Sequence, residues 1–188
     1  MALFGITDLL DLPSAVARVV LSPDKERRNE VYKQLLKLNN YDMGVDWFQE
    51  LYEAELSQRK QNKQDFTPNA VGRIASLITG LPTGTIHEPT AGNGSMVIAD
   101  WWNRCQRVTP FEFFPSENMY TAWELSDRAV PLLLLNLSIR GIMGYVYHGD
   151  VLERRIINRY VLLNPTDDAL GFSDIIKDPE CKLKITKS

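Results

Sequence analysis

The segment Thr85-Ile-His-Glu-Pro-Thr-Ala-Gly-Asn-Gly-Ser-Met96 decides the fold. A short extended run at residues 85–87 enters it, and a helical pattern that begins at Ser95 leaves it. The two glycines between them tolerate backbone angles that other residues avoid, and they let a ligand approach the main chain. The segment therefore predicts the strand–loop–helix unit at which parallel α/β sheets bind nucleotide-like ligands. A tight turn that needs glycine for its geometry alone is the alternative interpretation.

Strand and helix patterns alternate downstream of this unit, which favours a parallel sheet with helical crossovers. The predicted strands are residues 85–87, 118–125, 144–148 and 160–163, and the predicted helices begin at Ser22, Asp46, Thr67, Ser95 and Ser126. We expect an α/β fold with a partial, mostly parallel Rossmann-like sheet. The expected organisation is an N-terminal helical region at residues 1–63 followed by the α/β domain at residues 64–188.

Composition excludes several classes of protein. The net charge of −3 provides no general attraction to nucleic acid, and 44% hydrophobic residues suffice for a real core. Two cysteines cannot form a disulfide framework, and we expect a reduced, cytoplasmic protein. The N-terminus lacks the basic region of a signal peptide, and no stretch has the roughly 18 uninterrupted apolar residues of a membrane span. His87 and His148 are too isolated to indicate a metal site.

Acidic residues follow the next two predicted strands. Glu124 lies 32 residues after Gly92 and ends the second strand, where a carboxylate can accept from the hydroxyls of a ribose. Asp150 follows the third strand, where it can accept from the edge of an adenine. Each acid alone is most often a solvated loop residue. Three consecutive strands that each end in such a group predict a nucleoside-binding edge.

Four motifs in this order resemble the N6-adenine DNA methyltransferases, and most closely the modification subunit of type I restriction systems. They are Gln64-Asp-Phe-Thr-Pro68; Glu88-Pro-Thr-Ala-Gly-Asn-Gly-Ser-Met96; Trp123-Glu-Leu-Ser-Asp127 with Asn136-Leu-Ser-Ile-Arg-Gly-Ile142; and His148-Gly-Asp150. The resemblance covers residues 64 to about 152. It implies that the cofactor is S-adenosylmethionine.

The resemblance also implies a role for each matched residue. The wall near the methionine end of the cofactor would be formed by Phe66, Thr67 and Pro68. The amino-acid moiety would be wrapped by Glu88, Pro89, Thr90, Ala91, Gly92, Asn93, Gly94 and Ser95, with Glu88 in place of the family's usual Asp. Glu124 would hold the ribose, Leu125 would pack on the adenine, and Asp150, with Val151 beside it, would bind the adenine amino group.

The catalytic element of the family, Asn/Asp-Pro-Pro followed by an aromatic residue at the end of the fourth strand, is matched only in part. Asn164 and Pro165 fit it and are the candidate catalytic residues, but Thr166 and Asp167 replace the second proline and the aromatic ring that stacks on a flipped base. Phe172 is an alternative source of a ring. The alternative interpretation of Asn164-Pro165 is a simple turn.

Two functions follow as hypotheses. In the first, the chain is an adenine methyltransferase subunit, phage- or mobile-element-borne, that acts on DNA through a separate specificity subunit or by self-association as a homo-oligomer. In the second, it is an inactive S-adenosylmethionine-binding module that regulates or joins a restriction–modification complex. The few residues after Leu163 predict that the catalytic half of the sheet is incomplete. The aromatic residues at 101, 102, 111, 113 and 114 are expected in core packing rather than in base stacking.

Overall fold

The computed structural model of the chain describes residues 2–49, 69–79 and 83–178. Within them the chain forms an α/β fold with one five-stranded mixed sheet. The helices are α1 (Leu12–Val20), α2 (Lys25–Leu38), α3 (Asn69–Thr79), α4 (Ser95–Cys105) and α5 (Ala129–Ser138). The strands are β1 (Ile86–Glu88), β2 (Tyr120–Glu124), β3 (Gly144–Asp150), β4 (Arg155–Leu163) and β5 (Asp174–Asp178).

The strands lie in the sheet in the order in which they occur in the chain, β1-β2-β3-β4-β5. The β1–β2 and β2–β3 pairs are parallel, as the strand–helix alternation predicts. The β3–β4 and β4–β5 pairs are antiparallel, so the expectation of a mostly parallel sheet is wrong. Four residues separate Asp150 from Arg155, which is too short for the crossover that a parallel connection needs. The second half of the sheet is therefore an antiparallel meander.

One face of the sheet carries the core. Tyr120, Ala122, Val146, Tyr160 and Leu162 are buried on this face, and they form one hydrophobic cluster with the leucine run of α5. Every residue of helix α5 is buried, and its sequence is apolar except for Asn136 and Ser138, which is typical of a helix that is enclosed all round. The same cluster includes apolar residues of α1 and α2, so the described N-terminal helices pack on the sheet domain. The predicted boundary at residue 63 lies outside the described residues.

Helix α2 begins two residues later than predicted. Its N-cap is Asp24, whose carboxylate accepts from the backbone N–H of Arg27 at 2.9 Å, whereas the predicted cap, Ser22, accepts from the N–H of Asp24. The helix is fixed to the far edge of the sheet, because Lys25 and Arg28 both form ion pairs with Asp174 of β5.

Helix α3 forms as predicted, but its apolar stripe faces outwards. Val71, Ile74 and Ile78 are exposed, with 80% of Ile78 accessible. The helix instead packs on α4 through its small residues: a Cβ on Gly72 would lie 3.0 Å from the Cβ of Ala99. Spacing predicted the helix correctly, but it did not show which side would meet a neighbour. No helix in the described part of the chain is long and apolar enough to cross a membrane.

Candidate functional site

The three parallel strands end on three acidic residues at one edge of the sheet. Glu88, Glu124 and Asp150 are the last residues of β1, β2 and β3, and the parallel pairing brings their ends side by side. The glycine-containing loop 89–94 leaves β1 at this edge and enters α4. In open α/β sheets, ligands bind outside the carboxyl ends of the strands. The predicted convergence of the loop with Glu124 and Asp150 is therefore present.

Glu124 fixes the loop in place. Its Oε2 accepts from the backbone N–H of Gly92 at 2.8 Å, and its Oε1 accepts from the N–H of Ser126 at 2.7 Å. The N–H of Ala91 adds a third link, since it donates to the carbonyl of Trp123 at 2.8 Å. A carboxylate has about four acceptor sites, so Glu124 retains acceptor capacity for the hydroxyl groups of a ligand.

The two glycines of the loop have different surroundings. Both have positive φ, 55° at Gly92 and 99° at Gly94, which side-chain-bearing residues adopt with difficulty. A Cβ on Gly94 would lie 2.9 Å from Leu133 Cδ1, so this glycine is required for packing on α5. A Cβ on Gly92 would meet no atom within 4 Å. The main chain at Gly92 is therefore open to the approach of a ligand.

Asn93, between the glycines, is buried without side-chain partners. Only 2% of the residue is accessible, and neither its Oδ1 nor its Nδ2 has a hydrogen-bond partner. An unsatisfied buried amide costs free energy, and native structures rarely contain one without a reason. The buried amide of Asn93 therefore needs hydrogen-bond partners that the described residues do not supply.

Other residues that were predicted to bind the cofactor differ in whether their side chains already make contacts within the chain. Glu88 Oε1 accepts from the N–H of Thr90 and shapes the start of the loop, where Pro89 and Thr90 are exposed. Leu125 is 56% exposed directly after Glu124 and is free to pack on a planar group.

Asp150 also closes the β3–β4 turn. Its Oδ1 accepts from the N–H groups of Leu152 and Glu153. The next residue, Val151, packs in a small hydrophobic cluster with Trp123 and Ile156.

A buried polar network behind the loop was not predicted. Asn136 of α5 donates from Nδ2 to the carbonyl of Asn93 at 2.8 Å and to Asp46 Oδ1 at 2.9 Å. Asp46 also accepts from the N–H of Phe48 and from the Ser95 hydroxyl. Burial raises the pKa of the Asp46 carboxyl. The network ties the N-terminal region, the loop and α5 together.

Arg140 completes this network at the C-terminal end of α5. Its guanidinium donates to the carbonyls of Met43, Val45 and Asn136, and burial lowers its pKa to about 10, so it remains charged at neutral pH. The signal in the sequence was the pair Asn136 and Arg140, four residues apart, the first within the largely apolar helix α5 and the second just after its end. Polar groups at such positions are buried and need partners.

Asp46 was predicted as the cap of a second helix. Its bond to the N–H of Phe48 fits a capping role, but the rest of that helix lies outside the described residues.

The candidate catalytic residues lie at the opposite end of the sheet. Because β4 runs antiparallel to β3, Leu162 pairs with Gly144 at the start of β3, and Asn164 follows there. Gly144 and Asp150, at the two ends of β3, are six residue steps apart, which corresponds to about 20 Å. Asn164 is buried and donates from Nδ2 to the carbonyls of Gly141 and Asp168. The turn interpretation of Asn164 and Pro165 therefore fits the structure, and the predicted place beside Glu124 and Asp150 does not.

The aromatic residues divide between the core and the surface. Phe172, the alternative source of a ring, packs edge-on against Tyr32 and supplies no ring to the strand ends. The expectation of core packing is confirmed for Trp101 and Phe113, which are buried. It is wrong for Trp102, Phe111 and Phe114, which are exposed.

The two histidines lie apart from each other. His148 is buried, with its Nε2 3.1 Å from Asp127 Oδ1, and His87 is exposed. Across the described ranges, no cluster of three His, Cys, Asp or Glu residues could hold a metal ion. The predicted wall of the cofactor site, Phe66 to Pro68, lies outside the described residues.

Comparison with known proteins adds no identification. No protein-family model matches the chain, and a search of curated proteins gives no significant match.

Proposed function

We infer that the chain is an S-adenosylmethionine-binding module of methyltransferase type that works with a partner in a restriction–modification complex. The observation that carries this proposal is the contact between Glu124 and Gly92 at the ends of neighbouring parallel strands. The contact joins the acidic strand end to the glycine loop, and the chain shares both features, in the same order, with the methyltransferases that it resembles.

The residues at this edge fit such a cofactor. The open main chain at Gly92 and the unpartnered amide of Asn93 suit the polar amino-acid moiety. The spare acceptor sites of Glu124 suit a ribose diol, and the exposed side chain of Leu125 suits an adenine face. Asp150 accepts both of its hydrogen bonds at Oδ1, which leaves Oδ2 for the adenine amino group. When bound, S-adenosylmethionine supplies a methyl group on an electrophilic sulfonium.

Two observations favour binding over self-contained catalysis. Asn164 and Pro165 lie about 20 Å from the cofactor edge by strand geometry. In addition, β1 pairs only with β2 among the described residues. Doubly wound sheets place a further strand on the other side of the first strand, and they bind the ligand in the crevice between these two strands. The candidate site therefore lacks one wall within the described part of the chain. A partner subunit that closes this side and contacts DNA fits the net charge of −3, which gives the chain no general affinity for DNA.

Calorimetric titration of the chain with S-adenosylmethionine tests the proposal. We expect one site per chain, and we expect the affinity to fall at least tenfold in Glu124→Ala, since that change removes the ribose acceptor and releases the loop. Glu30→Ala, on the exposed side of α2, is the matched control and should bind as the wild type does. Absence of binding by the folded wild-type chain would refute the proposal.

A transfer assay separates the two hypotheses. The chain is incubated with methyl-labelled cofactor and mixed-sequence DNA, with and without a type I specificity subunit. We expect cofactor binding without methyl transfer by the chain alone. Transfer that is lost in Asn164→Ala, in a variant that still binds cofactor, would favour the catalytic hypothesis and contradict the role inferred here.

A further inference from the structure

An apolar cavity of about 500 Å³ lies away from the cofactor edge, between the C-terminal ends of α2 and α4 and the loops 106–113 and 169–172. Its described lining is apolar apart from Tyr41, Cys105 and Gln106. Trp101, Phe113 and Ile139 form its buried walls. Neither the glycine loop nor the acidic strand ends contribute to it, so it requires an explanation of its own.

A phenylalanine projects from the rim of this cavity. Phe111 is 89% exposed, and it follows Pro110, which lines the cavity. The two residues occupy the centre of a tight turn in which the N–H of Glu112 donates to the carbonyl of Thr109 at 2.9 Å. Proline is favoured at the first central position of such a turn, and it leaves Phe111 at the second.

The turn is held rigid by Glu112. Its Oε2 accepts from both the N–H and the hydroxyl of Thr109, and these hydrogen bonds lower the pKa of the Glu112 carboxyl. The backbone that carries Phe111 is thus held by local hydrogen bonds, and the aromatic side chain is not buried in its own chain. A preorganised backbone turn loses little conformational entropy on association.

The exposed apolar surface around the cavity is large enough for an interface. Five rim side chains are between 36% and 89% exposed: Tyr41, Trp102, Val108, Phe111 and Leu170. At about 200 Å² for a large side chain, their exposed parts amount to roughly 600 Å². Monomeric proteins rarely expose more than a few hundred Å² in one patch, and a small stable interface buries roughly 600–800 Å² on each partner.

We propose that this surface is the interface of a symmetric dimer in which Phe111 of each copy enters the cavity of the other. A twofold interface uses the same patch on both subunits, so a projecting group and its pocket have to lie next to each other, as Phe111 and the cavity do. The total buried area, roughly 1,200 Å², corresponds to a weak, reversible dimer. This inference is independent of cofactor binding.

Sedimentation velocity over low-micromolar to near-millimolar concentrations tests the dimer. We expect a reversible monomer–dimer equilibrium in the wild type, with at least a tenfold larger dissociation constant in Phe111→Asp and in Leu170→Asp. Ile78→Asp is the matched control, because it adds the same charge to the exposed apolar face of α3, and it should dimerise as the wild type does. A monomeric wild type, or a dimer disrupted by Ile78→Asp and not by Phe111→Asp, would overturn the proposal.

Photo-crosslinking tests the predicted insertion directly. Phe111 is replaced by p-benzoylphenylalanine, and isotope-labelled and unlabelled chains are mixed before irradiation. We expect crosslinked peptides of mixed isotope content that join position 111 to the segment around Trp101 and Cys105. Crosslinks confined to a single chain, or mixed crosslinks to other surfaces, would contradict the insertion.

Discussion

Gly92 and Gly94 stand two residues apart in one loop, and their replacement by alanine should affect different properties. At Gly92, alanine has to adopt φ near +55°, which costs about 1–2 kcal/mol of stability, and its Cβ meets no protein atom within 4 Å. Under the proposed function, the methyl group would instead occupy the space through which the cofactor reaches the main chain. We therefore expect a modest loss of stability and a loss of S-adenosylmethionine binding of at least tenfold.

At Gly94 the cost should fall on the fold. A residue with φ near +99° is strained by about 1–3 kcal/mol, and the Cβ would lie 2.9 Å from Leu133 Cδ1, which adds about 1–3 kcal/mol for overpacking. We expect Gly94→Ala to lower the free energy of unfolding by about 2–6 kcal/mol, a large part of the roughly 5–15 kcal/mol that is typical of a domain.

Gly84 provides the control for the backbone contribution. It has φ near +106°, close to that of Gly94, but a Cβ there meets no atom within 4 Å. Urea unfolding of the three alanine variants separates strain from steric overlap, and calorimetry on the folded variants measures binding. Wild-type affinity in Gly92→Ala, or equal destabilisation by Gly84→Ala and Gly94→Ala, would refute the reasoning.

Three further predictions concern hydrogen bonds and ion pairs of the described residues. Glu124→Gln should lower the free energy of unfolding by about 1–2 kcal/mol in urea denaturation. The reason is that an amide cannot accept from both of the backbone N–H groups that the two carboxylate oxygens bind. No destabilisation would show that this contact does not hold the loop. Burial raises the pKa of Tyr32 to about 12, so the stability that its neutral form contributes is complete below pH 10 and is lost as pH rises from 10 towards 12. The free energy of unfolding should fall less steeply with alkaline pH in Tyr32→Phe, and an unchanged slope would argue against this. Partial burial opposes ionisation of Asp174, but its hydrogen bonds from Lys25 and Arg28 outweigh that effect and lower the pKa of its carboxyl below 3.8. Its contribution to stability is therefore present above pH 3.8 and is lost on further acidification. Asp174→Asn should weaken the dependence of unfolding on acid pH, and an unchanged acid dependence would contradict the ion pairs.

The first half of the sheet could be predicted from the sequence because its signals are local. A glycine loop between an extended run and a helix, followed by acids after two more strands, indicates parallel neighbours whose ends converge. Residues 92, 124 and 150 accordingly lie at one edge. The ends of these three strands differ from prediction by no more than two residues.

The antiparallel second half of the sheet, β4 and β5, could not be predicted from local signals, because the direction of a strand depends on the length of its connection and on pairing with distant residues. The expectation of a mostly parallel sheet followed from the alternation of strand and helix patterns, and the resemblance suggested a catalytic element, Asn164-Pro165, at the end of the fourth strand. The nine residues between Asp150 and Tyr160 were already too few for a crossover helix and indicated a hairpin. That single reversal of direction moves Asn164 to the other end of the sheet.

The network around Asp46 and Asn136 was missed for a related reason. The two residues are 90 positions apart in sequence, and only the packing of the N-terminal region on α5 brings them to 2.9 Å. A polar pair within and just after a largely apolar helix can show that partners exist, but it does not show which residues they are. The exposed stripe of α3 is a similar case, since helical spacing does not identify the side that packs.

Titration of the wild-type chain with S-adenosylmethionine, alongside Gly92→Ala and Glu30→Ala, tests the central claim most directly. Binding at one site by the wild type and by Glu30→Ala, with at least a tenfold loss in Gly92→Ala, is the predicted result. No binding by the folded wild-type chain, or equal binding by all three proteins, would contradict a cofactor site at the glycine loop.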